Sequence, residues 1–179
     1  MELAKKSRPL AQLDEIIIRQ ITESDLPNLE WNGVFTHYRR LYKEAYLRTL
    51  QNGLVMWVAV TDEDQMLGQL FIQLTSSQSD MADGYFRAYM FGFRVKPEFQ
   101  CQGIGTLLLL QAEKDLAGRL FQKVCLNVTK TNERARQMYE RHGYKVLFSD
   151  PGEWMYQDNE GMWHEQNEPA WRMEKTLRK

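Results

Sequence analysis

Residues 85–128 constrain the fold more than any other part of the chain, because a strand pattern, a helix pattern and a second strand pattern follow one another there. Residues 85–95 form a long aromatic strand, and Gly103 opens a leucine-rich helix that runs to residue 117. Residues 123–128 then form an apolar strand. Two strands joined through a helix are parallel neighbours in one sheet. The sequence therefore predicts a parallel pair of strands.

The remaining segments predict antiparallel hairpins around this pair. We predict further strands at 16–19, 54–60, 67–74, 144–148 and 171–175, and helices at 24–31, 36–51 and 132–142. The four leucines at 107–110 predict a helical turn that is buried on all sides, and residues 149–168 are interpreted as a long polar and aromatic connection. The element order indicates one α/β domain with a mixed sheet of about seven strands and four flanking helices, covering residues 16–177. Residues 1–15 are expected to form an N-terminal tail.

Composition excludes several classes of protein. The 179 residues contain 23 Lys and Arg against 24 Asp and Glu, whereas a protein held to nucleic acid by its overall charge is basic. Two cysteines are too few for a disulfide scaffold. The chain shows no apolar run of membrane-spanning length and no secretory signal pattern. We therefore expect a soluble protein in the cytoplasm, with no metal site, no nucleic-acid partner and no membrane association.

The segment that joins the first strand of the parallel pair to its helix carries candidate ligand-binding residues. Gln100, Gly103 and Gly105 are spaced so that backbone without side chains faces the start of the helix. Helix N-termini have free N–H groups and a partial positive charge, so an anion such as a pyrophosphate fits there. A third glycine of a dinucleotide fingerprint would fall on Leu108, and no P-loop lysine follows. The loop is thus either an anion site or a structural turn.

A second group of residues lies on one face of the helix at 132–142. Asn132, Ala135 and Tyr139 recur at i, i+3 and i+7. If the two parallel strands splay, a thin ligand fits between them with Tyr139 near its reactive end. The alternative is that Tyr139 is a core aromatic residue whose hydroxyl is hydrogen-bonded within the protein.

Together the two segments resemble the GNAT superfamily of N-acetyltransferases. Gln100-x-x-Gly103-x-Gly105 matches the family's acyl-CoA pyrophosphate loop, and its lead-in Val95-Lys-Pro97 is also typical. Asn132, Ala135, Tyr139 and Gly143-Tyr144 match the following motif, and Ile18-Arg19 with Asp25-Leu26-Pro27 resembles the opening strand and helix. The likeness covers roughly residues 16–177. It implies a central parallel pair splayed to bind acyl-CoA, with acetyl-CoA as co-substrate.

The resemblance also implies roles for individual residues. The strand at 93–95 would offer backbone groups to the pantetheine arm, and the loop amides would bind the pyrophosphate. Asn132 would hydrogen-bond the cofactor, and it is also a candidate helix N-cap. Tyr139 would give a proton to the departing CoA thiolate as an amine attacks the thioester directly. The predicted cofactor-binding residues are Phe93, Arg94, Val95, Gln100, Cys101, Gln102, Gly103, Ile104, Gly105, Thr106, Asn132 and Tyr139.

One departure from the family concerns the base that deprotonates the amine. Many relatives place a glutamate on the strand beside the cofactor, whereas residues 85–95 contain no acid. Either a water chain carries the proton, or the base comes from Glu30 or from the 149–168 connection. The sequence leaves these alternatives open.

The segment from Val146 to Trp171 suggests what the acceptor is. It contains no Lys or Arg but holds six acidic residues and several aromatic ones. Carboxylates attract a cation, and aromatic faces add cation–π binding. We therefore expect a cationic acceptor, a small molecule or a peptide amine, bound by Glu153, Trp154 and Glu160. The alternative is a solvated loop with a few aromatic residues in the core.

Two other functions stay open at this stage. One is a non-catalytic acyl-CoA-binding or sensor module, which the missing strand carboxylate favours and Tyr139 disfavours. The other is a nucleic-acid binder that uses the cations of the helix at 36–51, although these more simply form a solvated helix face. The expected assembly is a monomer or a homodimer.

Overall fold

A computed structural model describes residues 15–177, so the predicted tail lies outside the described residues except for Glu15. This part contains nine strands and three α-helices: β1 (Ile17–Gln20), β2 (Leu54–Val60), β3 (Met66–Gln73), β4 (Arg87–Val95), β5 (Lys123–Thr129), β6 (Lys145–Asp150), β7 (Glu153–Gln157), β8 (Trp163–Asn167), β9 (Ala170–Thr176), α1 (Arg39–Leu50), α2 (Ile104–Gly118) and α3 (Glu133–Arg141). Short 3₁₀ helices cover Glu23–Glu30, Thr36–Tyr38 and Pro97–Phe99. No helix within 15–177 is long and apolar enough to cross a membrane.

Seven of the described strands form one sheet in the order β1-β2-β3-β4-β5-β9-β6. β4 and β5 run parallel, and the other neighbouring strands of this sheet are antiparallel. The helix α2 connects the parallel pair, as a crossover between parallel strands requires. The predicted mixed sheet with a central parallel pair is confirmed.

Helices cover both faces of the sheet, so its central strands are apolar on both sides. Val55, Trp57 and Ala59 of β2 pack in a cluster with the buried residues of α2. The alternate residues of β2 pack on the other face, with α1 and the 3₁₀ helix at 23–30. Because successive side chains of a strand point to opposite faces, this double burial requires the continuous apolar run of β2.

Two sequence expectations about local structure are wrong. The segment at 149–168 is not an irregular connection, because β7 and β8 pair there as a separate antiparallel hairpin. β8 is mostly exposed and polar, and β7 has three successive large side chains, Trp154 to Tyr156, rather than an alternation of apolar and polar residues. The turn at 107–110 is not buried on all sides either: Leu108 and Leu109 are fully buried, but Leu110 is 48% exposed because α2 rests on the sheet along one side only.

The parallel strands part beyond a defined point, and this opening positions the candidate site. The pairing of β4 with β5 ends at Met90 and Leu126, although β4 continues to residue 95. A β-bulge follows, because two residues of β4, Gly92 and Phe93, lie opposite Leu70 of β3. Gly92 has a φ of +58°, and a Cβ there would lie 2.7 Å from the ring of Phe71. The bulge thus requires glycine, and beside it lies the gap where β4 and β5 are no longer paired.

Candidate active site

The N-terminus of α2 presents free backbone donors beside this gap. The N–H of Leu107 donates to the carbonyl of Gly103 at 3.0 Å, so the N–H groups of residues 104–106 have no acceptor within the helix. Gly103, the N-cap, has a φ of +84°, which a glycine adopts without steric cost. These donors and the helix dipole together favour an anion.

A cleft of about 290 Å³ lies between this helix end, β4 and α3. It brings together ten of the twelve predicted cofactor residues: Phe93, Val95, Gln100, Cys101, Gly103, Ile104, Gly105, Thr106, Asn132 and Tyr139. It does not bring in Gln102, whose amide donates to the carbonyl of Glu98 at 3.3 Å. Nor does the side chain of Arg94 line it; that side chain lies in a second cavity.

Two cations line the cleft that the sequence interpretation did not single out. Arg134 and Arg141 of α3 both face it, and Arg134 donates a hydrogen bond to the sulfur of Cys101. The side chain of Gln100 carries no charge, and its amide donates to the carbonyl of Val95 at 3.0 Å. The sequence contains a signal for this arrangement, because Arg134, Met138 and Arg141 are spaced at i, i+4 and i+7 and therefore lie on one face of a helix. The two arginines supply the positive charge that Gln100 lacks.

Asn132 both caps α3 and lines the cleft. Its side-chain oxygen accepts the N–H of Ala135 at 3.1 Å, so it caps α3. The same residue lines the cleft. The cap fixes the start of α3 and therefore the position of the residues that follow on its inner face.

Tyr139 lies deep in the cleft and is 7% exposed. Its ring packs against Phe93 and Tyr144, with centroids 6.2 and 5.6 Å away. Its hydroxyl makes no hydrogen bond to any residue of the described part, whereas the buried hydroxyl of Tyr144 donates to Glu113 at 2.9 Å. Burial, and secondarily the neighbouring Tyr89, raises the pKa of Tyr139 well above its usual value. The group is therefore a protonated donor that has no partner among residues 15–177.

A second cavity, of about 810 Å³, opens on the opposite face of the sheet. Six aromatic residues line it beside polar and charged ones: Tyr38, Tyr42, Phe71, Tyr89, Phe91 and Trp154. Glu153 also lines it, as does Glu168, which accepts the indole N–H of Trp154 at 3.3 Å. Glu160 does not reach it, because Asp158 binds the backbone N–H of Glu160 at 2.9 Å and holds it in the turn between β7 and β8.

The two arginines of this second cavity differ in their partners. Arg172 is 5% exposed and is neutralised by Asp150 at 3.0 Å, while its Nε donates to Asn127 at 2.6 Å. Arg94 donates to the hydroxyl of Tyr42 at 3.2 Å. Burial raises the pKa of Tyr89, which also lines the cavity, to about 12.

Glu30 lies outside both cavities. Its carboxylate accepts from Arg39 at 2.6 and 2.9 Å and from Thr36 at 2.8 Å. The hydrogen bonds from Arg39 lower the pKa of Glu30 below its usual value. Glu30 therefore forms a structural ion pair with Arg39, and it does not lie where an amine in either cavity would reach it.

Comparison with known proteins agrees with this geometry. A family model described as the acetyltransferase (GNAT) family matches residues 18–144, and the chain belongs to that family. The resemblance noted in the sequence is thus confirmed.

Solved structures with the same fold come from several kinds of organism. Ard1 from Thermoplasma volcanium is 16% identical with a TM-score of 0.70, over 92% of this chain and 99% of that one. The spermidine/spermine N-acetyltransferase SpeG from Vibrio cholerae is 15% identical with a TM-score of 0.69, over 93% and 95%. Arabidopsis thaliana NAA60, solved with acetyl-CoA, is 19% identical with a TM-score of 0.65, over 90% and 98%. At such identities these matches establish the fold.

Proposed function

We propose that the protein is an N-acetyltransferase that moves an acetyl group from acetyl-CoA directly to a primary amine. The observation that carries this proposal is the hydroxyl of Tyr139, which is protonated, opens into the cleft and has no partner in the described part of the chain. The same cleft holds the anion donors at the start of α2, and the second cavity lies on the opposite face of the sheet. The hydrogen of this hydroxyl is therefore available to a ligand bound in the cleft.

Acetyl-CoA is the donor in this proposal, and its pyrophosphate lies at the N-terminus of α2. The free amides of residues 104–106 and the guanidinium groups of Arg134 and Arg141 bind the phosphates. The pantetheine arm then follows β4 past Phe93 and Val95 to the gap. NAA60, with the same fold, was solved with acetyl-CoA.

The reaction is a direct displacement. The amine nitrogen attacks the thioester carbonyl from the second cavity, a C–N bond forms and the C–S bond breaks. The thiolate takes the proton of the Tyr139 hydroxyl, which its raised pKa keeps in place at neutral pH. The ammonium group loses one proton before it attacks, and the new amide nitrogen loses a second one afterwards, in each case to water or to a carboxylate of the cavity. Water then returns a proton to Tyr139. Asp150 is paired with Arg172, so Glu153 and Glu168 are the acids that remain from this segment.

The acceptor arrives as a cation. Glu153 and Glu168 line the cavity and attract an ammonium group, and the face of Trp154 beside them adds cation–π attraction. SpeG, a structural neighbour, is a spermidine/spermine N-acetyltransferase. Small cationic amines and peptide amines are therefore the acceptors to test.

The experiment measures CoA thiol release from acetyl-CoA with a panel of primary amines. We expect Glu153→Gln to raise the acceptor KM about 2–5-fold, the effect of one exposed charge, and to leave the KM of acetyl-CoA unchanged. The matched control is Glu160→Gln, which removes the same charge from the same hairpin but outside the cavity. CoA binding without thiol release on any amine would contradict the proposal and favour a non-catalytic acyl-CoA-binding module.

A further inference from the structure

Arg94 is held in the second cavity before any ligand arrives. Its guanidinium carbon lies 4.4 Å from the ring centroid of Phe35 and 5.4 Å from that of Tyr38. One terminal nitrogen donates to the hydroxyl of Tyr42 at 3.2 Å. Two aromatic contacts and one hydrogen bond fix the position of the group, so little side-chain freedom is lost when a ligand binds.

The charge of Arg94 has no counter-ion within the part of the chain that the structure describes. No carboxylate of residues 15–177 lies within 4 Å of its nitrogens, and the residue opposite it on β3 is Gln69, which is neutral. Arg172, in the same cavity, is by contrast paired with Asp150 at 3.0 Å. The hydrogen bond to Tyr42 uses one nitrogen of Arg94, and the other two nitrogens have no protein acceptor in the described part. These donors are arranged as the fork that binds a carboxylate through two hydrogen bonds.

We propose that Arg94 binds a carboxylate of the acceptor, and that the acceptor is therefore an amino acid rather than a simple amine. This rests on the proposed function. The cavity then has two poles, since Glu153 and Glu168 attract the ammonium group and Arg94 binds the acid group. A carboxylate fits better than a phosphate monoester, because those acids and Asp80 also line the cavity and repel a second negative charge.

The test compares amines that differ only in a carboxylate: lysine with cadaverine, ornithine with putrescine, and phenylalanine with phenethylamine. We expect the full-length protein to prefer the acid of at least one pair by 10-fold or more in kcat/KM. Arg94→Gln removes that preference and leaves the KM of acetyl-CoA unchanged. Arg94→Lys keeps the charge but loses the fork, and it retains part of the preference. Arg40→Gln, which removes an exposed charge of α1 outside the cavity, changes neither value.

Calorimetric titration of the same acids into the protein separates this proposal from the proposed function. Binding that Arg94→Gln abolishes supports the carboxylate site even if no amine is acetylated, an outcome in which the proposed function fails alone. Acetylation of both members of every pair at equal kcat/KM would overturn the carboxylate site and leave the acetyltransferase standing. Failure of every acid to bind, or equal preference in wild type and Arg94→Gln, would also overturn it. The wild-type comparison needs no variant, so a folding defect cannot mask the answer.

Discussion

Removing the hydroxyl of Tyr139 separates catalysis from folding, because this hydroxyl has no hydrogen-bond partner among residues 15–177. If it protonates the leaving thiolate, Tyr139→Phe loses general acid catalysis, which contributes about 10²–10⁴-fold in rate. That loss corresponds to about 3–5 kcal/mol in the activation free energy. The fold loses no hydrogen bond, because the hydroxyl that is removed opens into the cleft. We therefore expect the free energy of unfolding to stay within about 1 kcal/mol of wild type.

Tyr144→Phe is the matched control. Its ring lies 5.6 Å from that of Tyr139 and is equally buried, but its hydroxyl donates to the carboxylate of Glu113 at 2.9 Å. Loss of a hydrogen bond to a charged group costs about 1.5–3 kcal/mol, although Lys175 still binds Glu113 at 2.6 Å. The control should therefore lose stability and keep its kcat. We therefore expect Tyr139→Phe to lose activity but not stability, and Tyr144→Phe to lose stability but not activity.

The assay is steady-state thiol release at saturating acetyl-CoA together with urea unfolding of both variants. CoA binding, followed by thermal shift, should be the same for Tyr139→Phe and wild type. A Tyr139→Phe protein with kcat within threefold of wild type would refute the role of the hydroxyl. So would an equal loss of kcat in both variants, since that would point to packing of the aromatic cluster rather than to proton transfer.

Two further predictions concern charge. Replacing both Arg134 and Arg141 with Gln should raise the KM of acetyl-CoA about 5–50-fold and weaken the dependence of that KM on salt. The control Arg136→Gln, on the same helix but outside the cleft, should change neither the KM nor its salt dependence. An unchanged KM in the double variant would show that the backbone amides bind the phosphates alone. Burial raises the pKa of Asp25, but hydrogen bonds, led by those from Arg19 at 2.7 and 3.0 Å, outweigh it and hold that pKa below its usual value. The resulting stability is present above the unfolded pKa of about 3.9 and is lost as pH falls through the lower folded pKa. Asp25→Asn should therefore lower the free energy of unfolding by about 1–3 kcal/mol at pH 7, and by progressively less as the pH falls below about 3.9. A deficit that did not shrink in acid would contradict this reasoning.

The sequence predicted the elements whose burial leaves a strong pattern. The apolar run of β2 was predicted with the bounds that the structure has, 54–60, because both faces of that strand are covered. The hairpin β7–β8 was missed, since Tyr156 is its one buried residue and its other residues are half-buried or exposed. Trp154 and Tyr156 of the hairpin pack against Tyr38, and such contacts with a distant part of the chain leave no local sequence pattern.

The candidate site, like the fold, was predicted only where local sequence determines the structure. Motif spacing located the loop and Tyr139, because a helix N-terminus and a helix face follow from local sequence. Glu160 was grouped with Glu153 on charge alone, and its distance from the cavity is set by how Asp158 closes the hairpin turn. Arg134 was within reach of the same helix-face spacing, but its proximity to the loop depends on how α3 packs.

The bulge at Gly92 explains why the side chain of Arg94 lies in the second cavity, although the sequence prediction concerned the backbone of residues 93–95. Tyr89 and Phe91 of β4 face the second cavity, so strict alternation would send residues 93 and 95 to that cavity and residue 94 to the cleft. The extra residue at the bulge reverses this, so Phe93 and Val95 line the cleft while Arg94 turns to the acceptor side. One glycine that the sequence alone did not mark as a bulge therefore decides which substrate each side chain of β4 meets. The apolar pair follows the pantetheine arm of the proposed donor, and the cation is left for the acceptor.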